Sequence, residues 1–380
     1  MQSRVTVKYW VYWLTVVVAF DCKERFTPPV VASNKNYLVV DGFINVAQDT
    51  TSIILSRTKN VNDTGQVAAE TGAKVLVESD DGSSYALTET GNGVYTVPYI
   101  AGSPSAKYRL AIATADNNQY ISDFVEFKKT PPVDSVTWAV LEDGAHIYAN
   151  AHDDAGKTRY YRWEHVETWE YHSVYYASYK FEDGSIVPRP PWEEIWKCWR
   201  TLASTDIVIS STEKLASDVI SQVDVAFIPV ADQKLSVEYS ILLKQYALTA
   251  DEYNYWQLLS KNTQQLGSLF DVTPTLLTGN IHCTTNSANL AIGYISAATM
   301  EQKRIYINRQ QINTPWEYSN TFLRCDTIHQ LADVTLSTYI GNGDIPIGLV
   351  AGATDYYFAP ARCVDCQVQG GTLVKPTFMP

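Results

Sequence analysis

Three groups of residues have the types and spacing to do chemistry. In the aromatic run Tyr160 to Tyr179, an extended chain places Trp163, His165, Glu167, Trp169 and Tyr171 on one side and Arg162, Glu164 and Glu170 on the other, because alternate residues share a face. A histidine and a glutamate two residues apart on one face can act as an acid–base pair; equally, a buried Arg or a Tyr hydroxyl can hold the glutamate while the aromatics form core. Cys363-Val364-Asp365-Cys366 is the sharpest local motif. One such knuckle supplies two of the four ligands of a structural zinc, and no second knuckle is present. A thioredoxin-type role needs a strand–helix–strand setting that this sequence lacks, so structural disulfides are expected. Pro190-Pro191-Trp192-Glu193-Glu194-Ile195-Trp196 interrupts the strand pattern, and its indoles, Trp192 and Trp196, are candidate contacts for a ligand or partner.

None of these sets specifies a reaction. The sequence has no G-x-S-x-G elbow, H-E-x-x-H pair, Walker loop or dinucleotide fingerprint. The six histidines, at 146, 152, 165, 172, 282 and 329, are scattered. Adjacent carboxylates such as Glu193-Glu194 and Asp153-Asp154 read as turn residues, since a glycosidase pair must flank a cleft at a set separation. The expectation is therefore a non-enzymatic protein with no catalytic residue, no metal site and no cofactor.

The cysteines also bear on compartment. Arg4 and Lys8 precede an apolar run, Tyr9 to Phe20, that stops at Asp21-Cys22-Lys23-Glu24. Twelve apolar-dominated residues are too few to span ~30 Å of hydrocarbon but suit the core of an export signal. The cysteine that follows points to lipidation at Cys22, after removal of a signal peptide over residues 1–21. Cys198, Cys283, Cys325, Cys363 and Cys366 are then candidates for disulfides in an oxidising compartment, and five cannot all pair within one chain. The net charge of -12, with 41 acidic and 29 basic residues, excludes a basic track for nucleic acid.

The elements that position these residues read as strands. Residues 22–36 contain Pro28-Pro29 and no periodicity, as a lipid-anchored tether would. From Tyr37, alternating segments at Tyr37–Val40, Ser52–Ser56, Lys74–Glu78, Tyr85–Thr88, Gly93–Val97 and Tyr108–Ile112 are broken by turn residues such as Asp80-Asp81-Gly82. This spacing predicts an immunoglobulin-like β-sandwich over 37–129. A larger β-sandwich domain is expected over 133–380, with strands at Val136–Val140, His146–Asn150, Asp206–Ser211, Lys234–Leu243, Ala291–Ala297 and Lys303–Ile307. It carries one inserted α-helix, about residues 249–266, opened by the capping box Thr249-Ala250-Asp251-Glu252 and closed by Gly267. The fold class is thus mainly β, with two sandwich domains.

Laid out in order, the chain resembles a Bacteroidota outer-membrane lipoprotein family of the domain-of-unknown-function 4249 type. The resemblance runs from about Cys22 to Pro380 and rests on several blocks. They are Tyr37-Leu38-Val39-Val40-Asp41-Gly42, Tyr160-Tyr161-Arg162-Trp163, Glu167-Thr168-Trp169-Glu170, and Tyr239-Ser240 with Gln245-Tyr246-Ala247-Leu248-Thr249. Gly267-Ser268-Leu269-Phe270-Asp271, Gly279-Asn280-Ile281, Gly293-Tyr294, the C-x-x-C motif, Gly370-Gly371-Thr372 and Lys375-Pro376 follow. Two positions depart from the family pattern: Asp21, where a small residue is usual, and Met379, where Trp is common. The acidic Glu24 soon after the cysteine is similar to signals that send lipoproteins to the cell exterior. What the resemblance implies is a setting: the outer membrane, held through a lipid anchor and facing outward, beside a TonB-dependent β-barrel transporter. An accessory or substrate-binding role is expected there; a surface hydrolase acting on glycan or peptide through the His165/Glu167 face, and an adhesion or envelope-assembly protein, are the alternatives. The family carries no assigned catalytic residues.

Overall fold

Alternation of buried and exposed side chains carries the first part of the chain into a sheet that closes on itself. The computed structural model describes residues 36–46, 49–59, 65–264, 277, 279–316, 325–331 and 334–380. Strands Leu38–Asn45, Thr51–Arg57, Lys74–Ser79, Ser84–Gly91, Val94–Val97 and Lys107–Ala113 appear where the pattern placed them. Val75, Val77, Tyr108, Leu110 and Ile112 point inward, each at most 2% exposed. The Asp80-Asp81-Gly82 turn joins two of these strands, with Gly82 at φ 91.

Eight strands form the closed ring: Lys107–Ala113, Lys74–Ser79, Ser84–Gly91, Val94–Val97, Thr51–Arg57, Leu38–Asn45, Ala297–Ala298 and Val125–Lys128, which pairs back to the first. The expectation of an immunoglobulin-like sandwich over 37–129 is corrected here. A sandwich leaves sheet edges open, whereas in this ring Val125–Lys128 pairs on both sides and every stave has two neighbours. The stave that completes it comes from far along the chain. Ala297–Ala298 runs parallel to both its neighbours, with Ile44 N–H donating to Ser296 O at 2.8 Å and Thr299 N–H donating to Lys128 O at 3.1 Å. Ile281–Cys283 extends the same sheet beyond Gln119–Ser122.

Glycines permit this approach. A Cβ on Gly293, whose φ is +136, would lie 2.1 Å from Val40 O, and one on Gly279 would lie 1.6 Å from Gly293 O. The residues around them, Ile281, Ala291, Ile295 and Ala297, join the barrel core.

Most of the remaining strands pack as two sheets around a second core, and Tyr179–Glu182 and Ser185–Pro188 form a separate hairpin. A three-stranded sheet, Val133–Val140, Gly144–His152 and Val219–Pro229, contributes Ile147, Val225 and Ile228. A five-stranded sheet is built on Tyr160–His172, with Lys197–Ala203 and Val208–Ser211 along one side, then Glu238–Leu248 and Met300–Asn308 on the other. It contributes Trp163, Tyr239, Ile241 and Leu243. The aromatic run read as continuing to Tyr179 leaves the strand at His172. A small third sheet, Ile328–His329, Tyr356–Pro360 and Asp344–Leu349, follows near the C-terminus.

The expected helix spans Ala250–Thr263, with Thr249 Oγ1 accepting the Glu252 N–H at 3.2 Å. Gly267, expected to close it, lies outside the described residues. Among the described residues no helix is long and apolar enough to cross a membrane.

Candidate functional site

The Tyr160–His172 strand places His165 and Glu167 on one face, and that face is the core side of the five-stranded sheet. His165 is 6% exposed and Glu167 is 4% exposed. Glu167 Oε1 accepts from the Tyr239 hydroxyl at 2.7 Å and Oε2 from Lys234 Nζ at 2.7 Å, so both oxygens are engaged. Lys234 Nζ also lies 5.5 Å from the centroid of the Trp169 ring. Burial pushes the His165 imidazole below its ordinary value and drives the Tyr239 phenol well upward. Such a carboxylate, saturated by a phenol and an ammonium group, holds two strands and a loop together. The sequence signal for this arrangement was partial: alternation gives the shared face, but nothing in the spacing points to Lys234.

Other histidine–carboxylate pairs lie on the surface. His146 Nδ1 meets Asp224 Oδ2 at 2.5 Å and its Nε2 meets Asp143 Oδ1 at 3.1 Å. His152 meets Asp134 at 2.7 Å. Each imidazole is closed off by its own acids, and among the described residues no group of three or more His, Cys, Asp or Glu is arranged to hold a metal ion.

The two candidate indoles part company. Trp196 stacks on His172 with centroids 3.8 Å apart, and its Nε1–H donates to Ser173 O at 2.8 Å. Trp192 sits in the single-turn helix Pro191–Glu193 and is 84% exposed. The turn that displays it is braced: Pro190 and Pro191 restrict the backbone, Arg189 Nη1 donates to Glu193 O at 3.2 Å, and Lys180 bridges Glu182 and Glu193 at 2.9 and 2.8 Å.

The C-x-x-C cysteines do not pair with each other. Cys366 bonds Cys198, and Cys363 bonds Cys325, tying the C-terminal segment to the five-stranded sheet and to the small third sheet. Cys283, a disulfide candidate from the sequence, is a half-buried free thiol on the short strand Ile281–Cys283, 3.4 Å from Thr285 Oγ1. Cys198, Cys325, Cys363 and Cys366 satisfy one another and leave it none. Cys22 lies outside the described residues.

One cluster was not legible as a unit. The Arg162 guanidinium lies 4.1 Å from the Trp256 ring centroid and 4.8 Å from that of Tyr246, and pairs with Glu164 at 2.8 Å. The Tyr246 hydroxyl donates to Glu164 Oε2 at 2.9 Å, and Phe43 of the barrel meets the Tyr246 ring edge-on at 5.0 Å. Glu252, 3% exposed, accepts the Trp256 indole N–H at 3.3 Å, and burial raises its carboxyl. Tyr255 meets Tyr294 at 5.3 Å. The blocks around Val40, Tyr160, Tyr246, Gly279 and Gly293 thus converge where barrel, sheet and helix meet. Nothing in the sequence joins them, since Val40 and Gly293 alone lie 253 positions apart. The cage is filled by the protein's own arginine, which makes it a joint between the bodies.

A family described as Domain of unknown function (DUF4249) matches residues 23–304. No curated protein matches the sequence. Among solved structures, the chain is similar to chitinase ChiA74 from Bacillus thuringiensis, with 12% identity over 48% of this chain and 30% of that chain and a TM-score of 0.15. It is also similar to the adhesin InvE of Yersinia pseudotuberculosis, with 14% identity, 56% and 55% coverage and a TM-score of 0.16, and to CBD12 from CALX1.2, with 10% identity, 71% and 100% coverage and a TM-score of 0.14. The chain thus spans less than a third of the chitinase, and scores this low carry no argument.

Proposed function

We infer that this chain, which belongs to the DUF4249 family, is a non-enzymatic surface lipoprotein that binds a partner or substrate at the outer membrane. A lipid on Cys22 holds it there, facing the cell exterior, beside a TonB-dependent β-barrel transporter. Tethering of this kind raises the local concentration of whatever the protein captures.

The observation that carries the binding reading is Trp192. An indole left 84% exposed on a doubly braced turn gains nothing from folding, so its burial energy is available to a partner that covers it. The acid–base candidates support the same reading, because Glu167 is buried and both its oxygens already bond Tyr239 and Lys234. The test is purification from detergent-solubilised outer membrane. The wild-type chain is expected to bring down a large β-barrel, and Trp192→Ala is expected to lose it while folding normally. Recovery of the wild-type protein alone, with hydrolysis of a surface glycan or peptide that Glu167→Gln abolishes, would replace this reading with the hydrolase.

A further inference from the structure

Residues 372–380 cross the outer face of the five-stranded sheet from one edge to the other. At the first edge Thr372 pairs with Trp199 of Lys197–Ala203 through two backbone hydrogen bonds of 2.9 Å. At the opposite edge is Met300–Asn308, whose Ile307 turns into the core while Arg304 and Tyr306 face out. There the Phe378 carbonyl accepts the Tyr306 hydroxyl at 2.5 Å, and the Phe378 ring lies 3.8 Å from the Arg304 guanidinium.

The face beneath has the chemistry of a surface that meets water. A sheet covered permanently on both sides carries apolar side chains on both. Here one cross-strand row consists of Thr201, Thr168, Ser240 and Tyr306, although Thr168 and Ser240 are 0% exposed. The row is satisfied within the sheet: Thr168 Oγ1 and Thr201 Oγ1 lie 3.0 Å apart, and Arg304 Nη1 donates to Ser240 Oγ at 2.9 Å. In the next row Glu170 pairs with His172 and Lys197, and Glu238 accepts from Asn308 Nδ2. Lifting the segment therefore strands none of these groups. Covering them has a cost, because Trp199 is 6% exposed and its indole N–H has no acceptor among the described residues.

Little apolar burial holds the segment down. Leu373, Val374 and Phe378 are 37%, 74% and 39% exposed, and Met379 alone among residues 372–380 is buried. The chain before it is pinned, since Cys366 bonds Cys198 and the Tyr171 hydroxyl donates to Cys366 O at 2.8 Å. Gly370, with φ +84, and Gly371 stand between that pin and the segment and can absorb a change of backbone direction.

We propose that residues 372–380 form a releasable strap, which hinges at Gly370-Gly371 and opens while the rest of the fold stays intact. Closed, it caps the edge at Trp199 and roofs the hydroxyl row; open, it bares both. The device lies apart from Trp192 and does not depend on the binding role proposed above.

The test is oxidation of the full chain by dilute hydrogen peroxide across a urea series, read at Met379 by peptide mass spectrometry while circular dichroism follows the fold. Met379 is expected to oxidise at urea concentrations that leave the dichroism unchanged. Thr372→Pro removes the N–H that bonds Trp199 O, at the far end of the strap from Met379, and is expected to speed Met379 oxidation about fivefold or more. Both Thr372→Pro and a chain shortened to end at Gly371 are expected to unfold within about 2 °C of the wild type. Oxidation of Met379 only in step with loss of the fold, or at the same rate in Thr372→Pro, overturns the proposal. A larger fall in the unfolding temperature of the shortened chain overturns it too, because the segment would then be part of the cooperative fold.

Discussion

Residues 36–132 contain seven of the eight staves of the barrel and are expected not to fold without the eighth. Cutting the chain there removes Ile281 and Ile295, which are 4% and 0% exposed, and Ala291 and Ala297, which are 2% and 1% exposed. At ~1.5–3 kcal/mol for full burial of an isoleucine, the two isoleucines alone forfeit about 3–6 kcal/mol. The hydrogen bonds from Ile44 N–H to Ser296 O, from Val46 N–H to Ala298 O and from Thr299 N–H to Lys128 O go as well, at ~0.5–1.5 kcal/mol each. The total, about 5–10 kcal/mol, is the size of a whole domain's stability. The fragment also exposes three unpaired edges, on Leu38–Asn45, Val125–Lys128 and Gln119–Ser122. The assay is an amide correlation spectrum of 36–132 alone and after addition of a synthetic peptide covering 277–300. The fragment alone should give poor dispersion, and the peptide should restore native-like shifts in trans. A dispersed spectrum and a cooperative melt from 36–132 by itself would refute the reasoning. In the full chain Gly293→Val should reproduce the loss, because its Cβ would meet Val40 O.

Glu167→Gln leaves the Lys234 ammonium without its counter-charge in a mostly buried place, and urea unfolding should report a loss of about 2–3 kcal/mol. A change under about 0.5 kcal/mol would mean that the ion pair is open to solvent. The hydrogen bond to Asp224 and then that to Asp143 favour the charged imidazole of His146 and raise its pKa above the ordinary 6.5. Its contribution to stability is full below that unfolded-state value and is lost as pH rises through the folded-state pKa. Imidazole titration by NMR should show the upward shift, and Asp224→Asn should bring most of it back down; an unshifted imidazole in the wild type would contradict the bonded geometry.

The local strands were legible because each buries one face, so period-two alternation marks Lys74–Ser79 and Lys107–Ala113 directly. The helix was legible from its Thr249 cap, and it ends at Thr263, three residues before the expected 266. Barrel closure was not legible. Ala297–Ala298 is two residues long, both of them small, and its partners lie at Ile44 and Phe127, so neither alternation nor turn chemistry signals it. Without it the first part reads as an open sandwich. At the candidate sites, types were visible but partners were not. Glu167 and its face follow from the strand, whereas Lys234 arrives on a single-turn helix 67 residues away. The difference between Trp192 and Trp196 depends on His172 and Ser173, which only the folded sheet brings under one indole.

Lipid attachment is tested most directly by intact-mass spectrometry of the protein extracted from membranes with detergent, alongside the Cys22→Ala variant. The expected mass is that of a chain beginning at Cys22 and carrying acyl groups, with the variant unacylated and released from the membrane. A mature protein whose residue 22 is unmodified, recovered without detergent, would contradict it.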